Sequence, residues 1–590
     1  MSAVGARDVL GVARSFSGRR WNLAAGDEAA ARALALAQGL PFVLARLLLA
    51  RGVTAQDAAD YLNPTLKKLL PEPLTLKDMD KAVARVAAAI ARGEAIAVFG
   101  DYDVDGSCSA ALMHDFLSAV GAPPRIYIPD RMTEGYGPSA ASLLRLKQEG
   151  AGLVVTVDCG AGAGEALAAA HEAGLDVIVL DHHAIEREPP AFAHVNPNRP
   201  CDTSGLGHVC AAGIVFLFLV ALNRALREAG HYGAKAEPDL REAVDLVGLA
   251  TVCDVVPLTG VNRAFVLAGL ARLSKLERPG LAALARAANV APPFTSYHLG
   301  FVFGPRINAG GRVGRCSLGV DLLTAKDPAA AEDYAAALDT HNRERQAIEK
   351  LILDDAAAMA AAQDNSPFLF VGGEGWHPGV VGIVASRLKE RFGKPAFVAG
   401  FEGGLGRGSA RSVPGVDIGA MVRTAREAGA LDAGGGHAMA AGFSLRPGQA
   451  DAFRAFLIGK FSEADAQPVD TGLALDGIVS PAGAVPSLVA DIARAGPFGA
   501  GNAEPVLALP DVQLVFADVV GKDHVRLRLA GGDGARLDAI AFRVADSALG
   551  RALLDARGRR IHAAGRLRTD EWNGRVRVQL QLEDAAPAGA

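Results

Sequence analysis

The chain runs to 590 residues, half of them hydrophobic, with a formal net charge of −5; several domain cores fit at about 150 residues each, and the charge alone decides nothing about nucleic acid. The longest apolar run, Val209 to Leu222, is shorter than the ~20 residues that span a bilayer and reads as a core helix, which excludes a membrane role. Six cysteines (108, 159, 201, 210, 253 and 316) without a CxxC pair argue against a disulfide framework or a zinc ribbon and fit reduced thiols in the cytoplasm.

Residues 1–75 form a helical segment with scattered Arg and no signal-peptide core, ending in the Pro-rich Leu70 to Pro73. From 76 to 325 strand and helix alternate: Ala95 to Phe99, a helix from Ser107, Arg125 to Pro129, a helix from Ser139, Leu153 to Val157, a helix from Gly164, and Asp176 to Leu180. This pattern predicts an α/β fold with a doubly wound parallel sheet. Asp327-Pro328 then opens a helix reaching about Gln363, across 326–365, with Asp as cap and Pro in the first turn. Its length of roughly 50 Å suits a link between two lobes. A second, Gly-rich α/β lobe occupies 366–460, and 465–590 read as a β-barrel. Between Pro505 and Leu580 there are 13 Arg and Lys against 9 Asp and Glu. The period of two in His524 to Leu529 sends Arg526 and Arg528 to one face, and Arg566 with Arg568 and Arg575 with Arg577 repeat the device. Such a basic face suits an OB-fold that binds single strands, with Trp572 and His524 as candidate stacking surfaces; a solvated Arg face is the alternative.

The chemistry concentrates in four short clusters: Asp101-Tyr-Asp103-Val-Asp105-Gly106, Asp158-Cys-Gly160, Asp181-His182-His183, and Asp254. A single Asp after a strand is more often a turn residue or helix cap. In a parallel sheet, however, loops at the carboxyl ends of strands converge. Six carboxylates and two imidazoles would then share one crevice, and crowded carboxylates raise one another's pKa unless cations neutralise them. The spacing at Asp101 is not that of an EF-hand, because the twelfth position is Leu112. A metal site is therefore expected.

These motifs resemble the DHH phosphoesterase superfamily, and across nearly the whole chain they resemble its RecJ family of single-strand-specific 5′ to 3′ exonucleases. The resemblance rests on residues 100–106, Arg131 to Gly137, Asp158-Cys-Gly, Asp181-His-His, Val252 to Pro257 and Gly304 to Gly311. The second lobe adds Trp376 to Gly379, Gly406 to Arg411 and Gly434 to Gly442, and the tail adds Gly496 to Asn502. The resemblance implies that Asp101, Asp103 and Asp158 hold one divalent cation and that Asp105, Asp158, His182 and Asp254 hold another, with Asp158 bridging. Oxygen donors with one imidazole suit Mn²⁺ or Mg²⁺. Two such ions about 4 Å apart can acidify a bridging water and stabilise the leaving oxygen, so no protein nucleophile is required. His183 is then expected to contact the scissile phosphate, and Asp181 to orient its neighbours. Arg131, Arg306, Asn308, Ser409, Arg411 and His437 are implied as the 5′-phosphate and strand-binding pocket.

The expected function is degradation of single-stranded DNA in repair and recombination by a cytoplasmic monomer, with the cleft between the two lobes too narrow for a duplex. By resemblance, its partners are a single-strand-binding protein, a RecQ-type helicase and the RecA recombination pathway. A phosphodiesterase of short oligonucleotides or cyclic dinucleotides would use the same metals, but the extra N-terminal segment and basic barrel favour a long polymer. A non-enzymatic scaffold would show degenerate ligand positions; here all are intact.

Overall fold

The computed structural model describes residues 9–24, 27–131, 133–185, 187–233, 236–363, 365–463, 472–572 and 575–589, without the side chains of 571, 572 and 575. The expectations for the Trp572 and Arg575 side chains therefore lie outside the described residues. Contacts sort the chain into two units, one of residues 72–254 and 269–469, the other of 1–71, 255–268 and 470–590.

In the first unit the apolar runs become strands β1 (Ile96–Gly100), β2 (Arg125–Tyr127), β3 (Leu153–Val157), β4 (Asp176–Leu180) and β5 (Ala193–Val195). They pair in parallel in the order β2-β1-β3-β4-β5. Residues of β1 and β3 are buried throughout, as expected of strands covered on both faces. Helices α1 (Val104–Ala119), α2 (Ala140–Gln148), α3 (Gly164–Glu172), α4 (Ala211–Glu228) and α5 (Val244–Cys253) follow in the chain. The strand order reverses between β1 and β3, the place where open α/β sheets bind ligands.

After α6 (Gly304–Val313), helix α7 (Pro328–Ala361) starts at Asp327, whose side chain accepts from the Ala330 amide. Ala331, Ala335 and Leu338 are buried near its start, whereas Ile352, Ala356 and Ala360 enter the core of the second lobe. That lobe comprises β6 (Leu369–Glu374), α8 (Pro378–Phe392), β7 (Ala396–Glu402), β8 (Leu405–Arg411), α9 (Ile418–Glu427), β9 (Ala433–His437) and β10 (Ala440–Leu445). Its mixed sheet has the order β9-β10-β8-β7-β6.

In the second unit, β11 (Leu507–Val520), β12 (His524–Ala530), β13 (Arg536–Ala541), β14 (Arg560–Trp572) and β15 (Arg575–Pro587) form a closed barrel, because β14 pairs with both β15 and β11. Val525, Leu527 and Leu529 face its core while Arg526 and Arg528 face out. The N-terminal segment is not wholly helical. Trp21–Leu23 is a strand parallel to Leu473–Leu475, and the fully buried Trp21 donates from Nε1 to Asp584 at 3.0 Å. A three-residue strand carries too little periodicity to be read from sequence.

Candidate metal centre and phosphate pocket

Asp101 follows β1, and Asp103 caps α1 by accepting from the Gly106 amide at 3.0 Å. The acidic run is thus a strand-to-helix junction rather than a loop, with Asp105 in the first helical turn. Gly106 is required by close approach: a Cβ there would stand 2.5 Å from the Asp101 carbonyl oxygen. Asp105 accepts from the amides of Ala211 and Ala212 at 2.7 and 2.8 Å, which fixes it against the start of α4. Asp158 follows β3 with φ +59°, a left-handed conformation uncommon outside Gly, Asn and Asp. Asp254 comes from the end of helix α5, not from a strand tip, so the apolar run before it was helical.

The structure brings these groups together. Asp101, Asp103 and Asp158 offer oxygens within 4.8 Å of one another, as do ligand atoms of Asp105, His182 and Asp254. A third set joins Asp158 to His182 and His183. His182 Nε2 lies 3.4 Å from Asp158, 3.7 Å from Asp254 and 3.8 Å from Asp105. Buried oxygens of Asp101, Asp158 and Asp254 have no hydrogen-bond partner, which is costly unless a cation meets them. Burial first, and neighbouring carboxylates second, push Asp101 and Asp158 far above the usual carboxylate range, Asp105 to about 7 and Asp254 to about 9. Burial, helped by the adjacent His183, lowers His182 to about 4, so its imidazole is neutral and able to ligate. The donor set fits divalent cations of the Mn²⁺ and Mg²⁺ type.

Asp181 turns away from this cluster. Its oxygens accept from the amides of Ala161, His182 and His183 at 3.0, 2.7 and 3.1 Å, and from His183 Nδ1 at 2.7 Å. Burial opposes ionisation, but the His183 hydrogen bond and charge outweigh it and hold Asp181 well below the usual range. The same pairing, against burial, raises His183 to about 9. His183 also packs edge-on to Tyr136, whose hydroxyl donates to the Asp158 carbonyl at 3.1 Å.

The expected phosphate-binding residues separate into two groups. Ser409 and Arg411 meet on β8, with Arg411 donating to Ser409 Oγ at 2.7 Å; burial lowers the Arg411 pKa. Arg131 lies over the Tyr102 ring at 5.2 Å. His437 lines a cavity of about 620 Å³ with Tyr136, Asp181 and His183. Arg306 and Asn308 are occupied elsewhere. Arg306 pairs with Asp339 at 2.9 Å and braces α6 against α7, while Asn308 accepts from the Val104 amide at 3.1 Å and caps α1. Sequence reading missed Arg312, which follows the Gly310-Gly311 pair on α6 and donates to the Gly379 carbonyl at 2.9 Å. Burial first, then Arg131 and Arg345, lower its pKa to about 10, with Arg411 adding to the effect. It was legible only as one Arg among many. Arg423 and Arg426 on α9, also missed, line the same cavity as His437.

On the barrel, the described Arg side chains do not form one uniform face. Arg526, Arg528 and Arg577 line a groove with Phe516, over whose ring Arg526 lies at 5.4 Å. Arg566 is paired with Glu583 at 2.6 Å and Arg568 with Glu504. Period-two spacing reveals which face a side chain takes, but not the acid it meets from another strand.

The family models agree with this architecture: the DHH family N-terminal domain matches residues 95–251, the DHHA1 domain 365–463 and the RecJ OB domain 475–584. The sheet, the acidic cluster and the second lobe therefore define a DHH-type phosphoesterase. The chain is 36% identical over 580 residues to the single-stranded-DNA-specific exonuclease RecJ of Dickeya dadantii, covering 94% of this chain and 97% of that protein. It is 32% identical over 578 residues to the Bacillus subtilis enzyme of the same name, covering 96% and 71%. The crystal structure of RecJ in complex with Mn²⁺ from Thermus thermophilus matches with a TM-score of 0.81 at 30% identity, covering 97% of this chain and 80% of that one. The chain belongs to the RecJ family. No helix among the described residues is long and apolar enough to cross a membrane.

Proposed function

We propose that this protein is a metal-dependent exonuclease that hydrolyses single-stranded DNA from its 5′ end. The observation that carries the reading is the group of buried carboxylates with unpaired oxygens, Asp101, Asp158 and Asp254, gathered with Asp103, Asp105 and His182. Asp101, Asp103 and Asp158 would hold one Mn²⁺ or Mg²⁺, and Asp105, Asp158, His182 and Asp254 the other. Bound there, the cations acidify water and neutralise charge on the leaving oxygen. His182 contributes a neutral nitrogen. Protonated His183, held by Asp181 and 4.0 Å from Asp158, sets a positive charge where a phosphate would approach. Asp181 keeps that proton on Nδ1 and fixes the ring.

Direction is set by residues of both lobes. Arg131, Arg312, Ser409 and Arg411 offer charge and a hydroxyl to a terminal phosphate; burial lowers the pKa of Arg411, and burial followed by the neighbouring Arg131 and Arg345 lowers that of Arg312, a strain that a bound anion would relieve. Cooperation with a single-strand-binding protein, a RecQ-type helicase and RecA-mediated recombination in the cytoplasm follows from family resemblance.

One digestion series tests the assignment: end-labelled single strands with 5′-phosphate or 5′-hydroxyl, blunt duplexes and dinucleotides, each with and without Mn²⁺. Metal-dependent release of mononucleotides from the 5′ end of single strands is expected. Turnover of dinucleotides with long strands left intact would instead make it a short-substrate phosphodiesterase.

A further inference from the structure

Four aromatic side chains are exposed among the described residues: Tyr136, Tyr297, Phe301 and Phe542. Tyr297 and Phe301, 63% and 70% exposed, stack on each other with ring centroids 5.2 Å apart and planes 24° from parallel. The segment around them sorts its side chains sharply. Phe294, Leu299 and Phe303 are buried, with Phe294 edge-on to Phe303 at 5.3 Å. Packing is thus met by the inward set. The outward pair is braced from within its own turn, where His298 stands edge-on to Tyr297 at 5.9 Å.

The turn that presents Phe301, Leu299–Phe303, is π-helical, a rare geometry that recurs at functional sites. It is anchored on the metal centre's own framework. The Leu299 carbonyl accepts from the thiol of Cys253, the residue before Asp254, at 3.3 Å. A Cβ on Gly304 would stand 2.5 Å from that sulfur, and one on Gly300 would touch Val252 at 3.4 Å. The turn then runs directly into α6, whose Asn308 caps the helix carrying Asp105.

We propose that the Tyr297–Phe301 pair is a stacking platform for a nucleobase of the single strand, at the rim of the metal centre. The inference rests on the exonuclease reading and deepens it, naming residues that position the strand without touching the reacting phosphate. Flat, solvent-facing rings accept any base, which suits an enzyme that must not discriminate between sequences. A duplex keeps its bases stacked internally and offers this surface nothing, so the platform also favours single strands.

The test compares wild type with Phe301→Ala, Phe301→Leu and Phe301→Trp on 5′-phosphorylated oligothymidylate, and on oligothymidylates carrying a single abasic site stepped through the first six positions. Phe301→Ala and Phe301→Leu should each raise KM by about tenfold with kcat within about twofold, and Phe301→Trp should restore KM. On the strand whose abasic site removes the stacked base, wild type should lose the same factor and the Ala variant no more. The tryptophan of Phe301→Trp should be quenched when oligothymidylate binds. Equal KM for wild type and Phe301→Ala, or rescue by Leu as well as by Trp, overturns the platform, and the former would leave the patch to a protein partner. Failure of wild type itself to digest the strand would instead bring down the exonuclease reading.

Discussion

The metal centre and the barrel groove hold charge in opposite ways. Around Asp158 the carboxylates are buried, like-charged and partly without partners, so their pKa values climb. On the barrel Arg528, Arg566 and Arg568 already meet Asp538, Glu583 and Glu504. A chain that leaves buried charge unbalanced at one place and balances exposed charge at another shows where a counter-ion belongs. Arg312, buried near Arg131, Arg345 and Arg411, repeats the first arrangement with the sign reversed.

The largest effect should come from Asp158, the residue proposed to belong to both ligand sets. Asp158→Asn should cut turnover by about 10³-fold or more, and calorimetry with Mn²⁺ should show the loss of at least one site. The same imbalance governs stability. Asp105 at about 7 and Asp254 at about 9 are raised above the ordinary value of 3.8 by burial and then by neighbouring carboxylates. Folding therefore favours their protonated forms. Below about pH 4 folded and unfolded states are both protonated and no penalty exists; as pH rises to about 9 stability drains away. His183, raised to about 9, adds in the same direction, since the stability it lends below its ordinary 6.5 disappears above 9. Metal-free protein should melt lower at about pH 8.5 than at about pH 6, and Mg²⁺ should close most of that gap. A melting temperature that rises with pH over this range would contradict the charge imbalance.

His183→Asn comes next. It removes the imidazolium that Asp181 maintains while leaving the cation ligands in place. Turnover should drop by about 10²-fold, with little change in KM. Loss of the His183 proton as pH rises should give the wild-type profile an alkaline limb, and that limb should vanish in the variant. An unchanged limb would transfer that titration to another group.

Much of the catalytic sheet was legible because buried parallel strands write themselves as continuous apolar runs, as in Leu153–Val157 and Asp176–Leu180. The resemblance implies an orienting role for Asp181, and the structure pairs its carboxylate with His183 Nδ1 at 2.7 Å. The run before Asp254 is a ten-residue apolar helix, which composition alone does not separate from a buried strand. Arg306 and Arg312 lie six residues apart on one helix, and nothing in their local pattern separates the one paired with Asp339 from the one that has no ion pair among the described residues. That distinction depends on α7 and α8, which come from elsewhere in the chain.

Arg411→Ala should act on end recognition alone. Discrimination between 5′-phosphate and 5′-hydroxyl strands should shrink by about tenfold to a hundredfold, the worth of one charge-assisted contact. Mn²⁺ affinity should be unchanged. Arg312→Lys should give a smaller loss, because an ammonium keeps the charge but not the planar fork. Retained discrimination in Arg411→Ala would move the end reader to the cavity lined by Arg423 and Arg426.

The smallest effect separates the two kinds of arginine on the barrel. Arg526 lies over Phe516 with no acid at salt-bridge distance among the described ion pairs, whereas Arg568 is held by Glu504. A free guanidinium can exchange counter-ions for a phosphate; one already paired must first give up its carboxylate. Arg526→Ala should therefore weaken binding of long single strands by a few-fold and reduce the slope of log K against log salt by about 0.7. Arg568→Ala should leave both nearly unchanged, and dinucleotide cleavage should be indifferent to either. Equal salt slopes for the two variants would mean that Glu504 does not screen Arg568, and that spacing alone, as read from the sequence, defines the face that meets DNA.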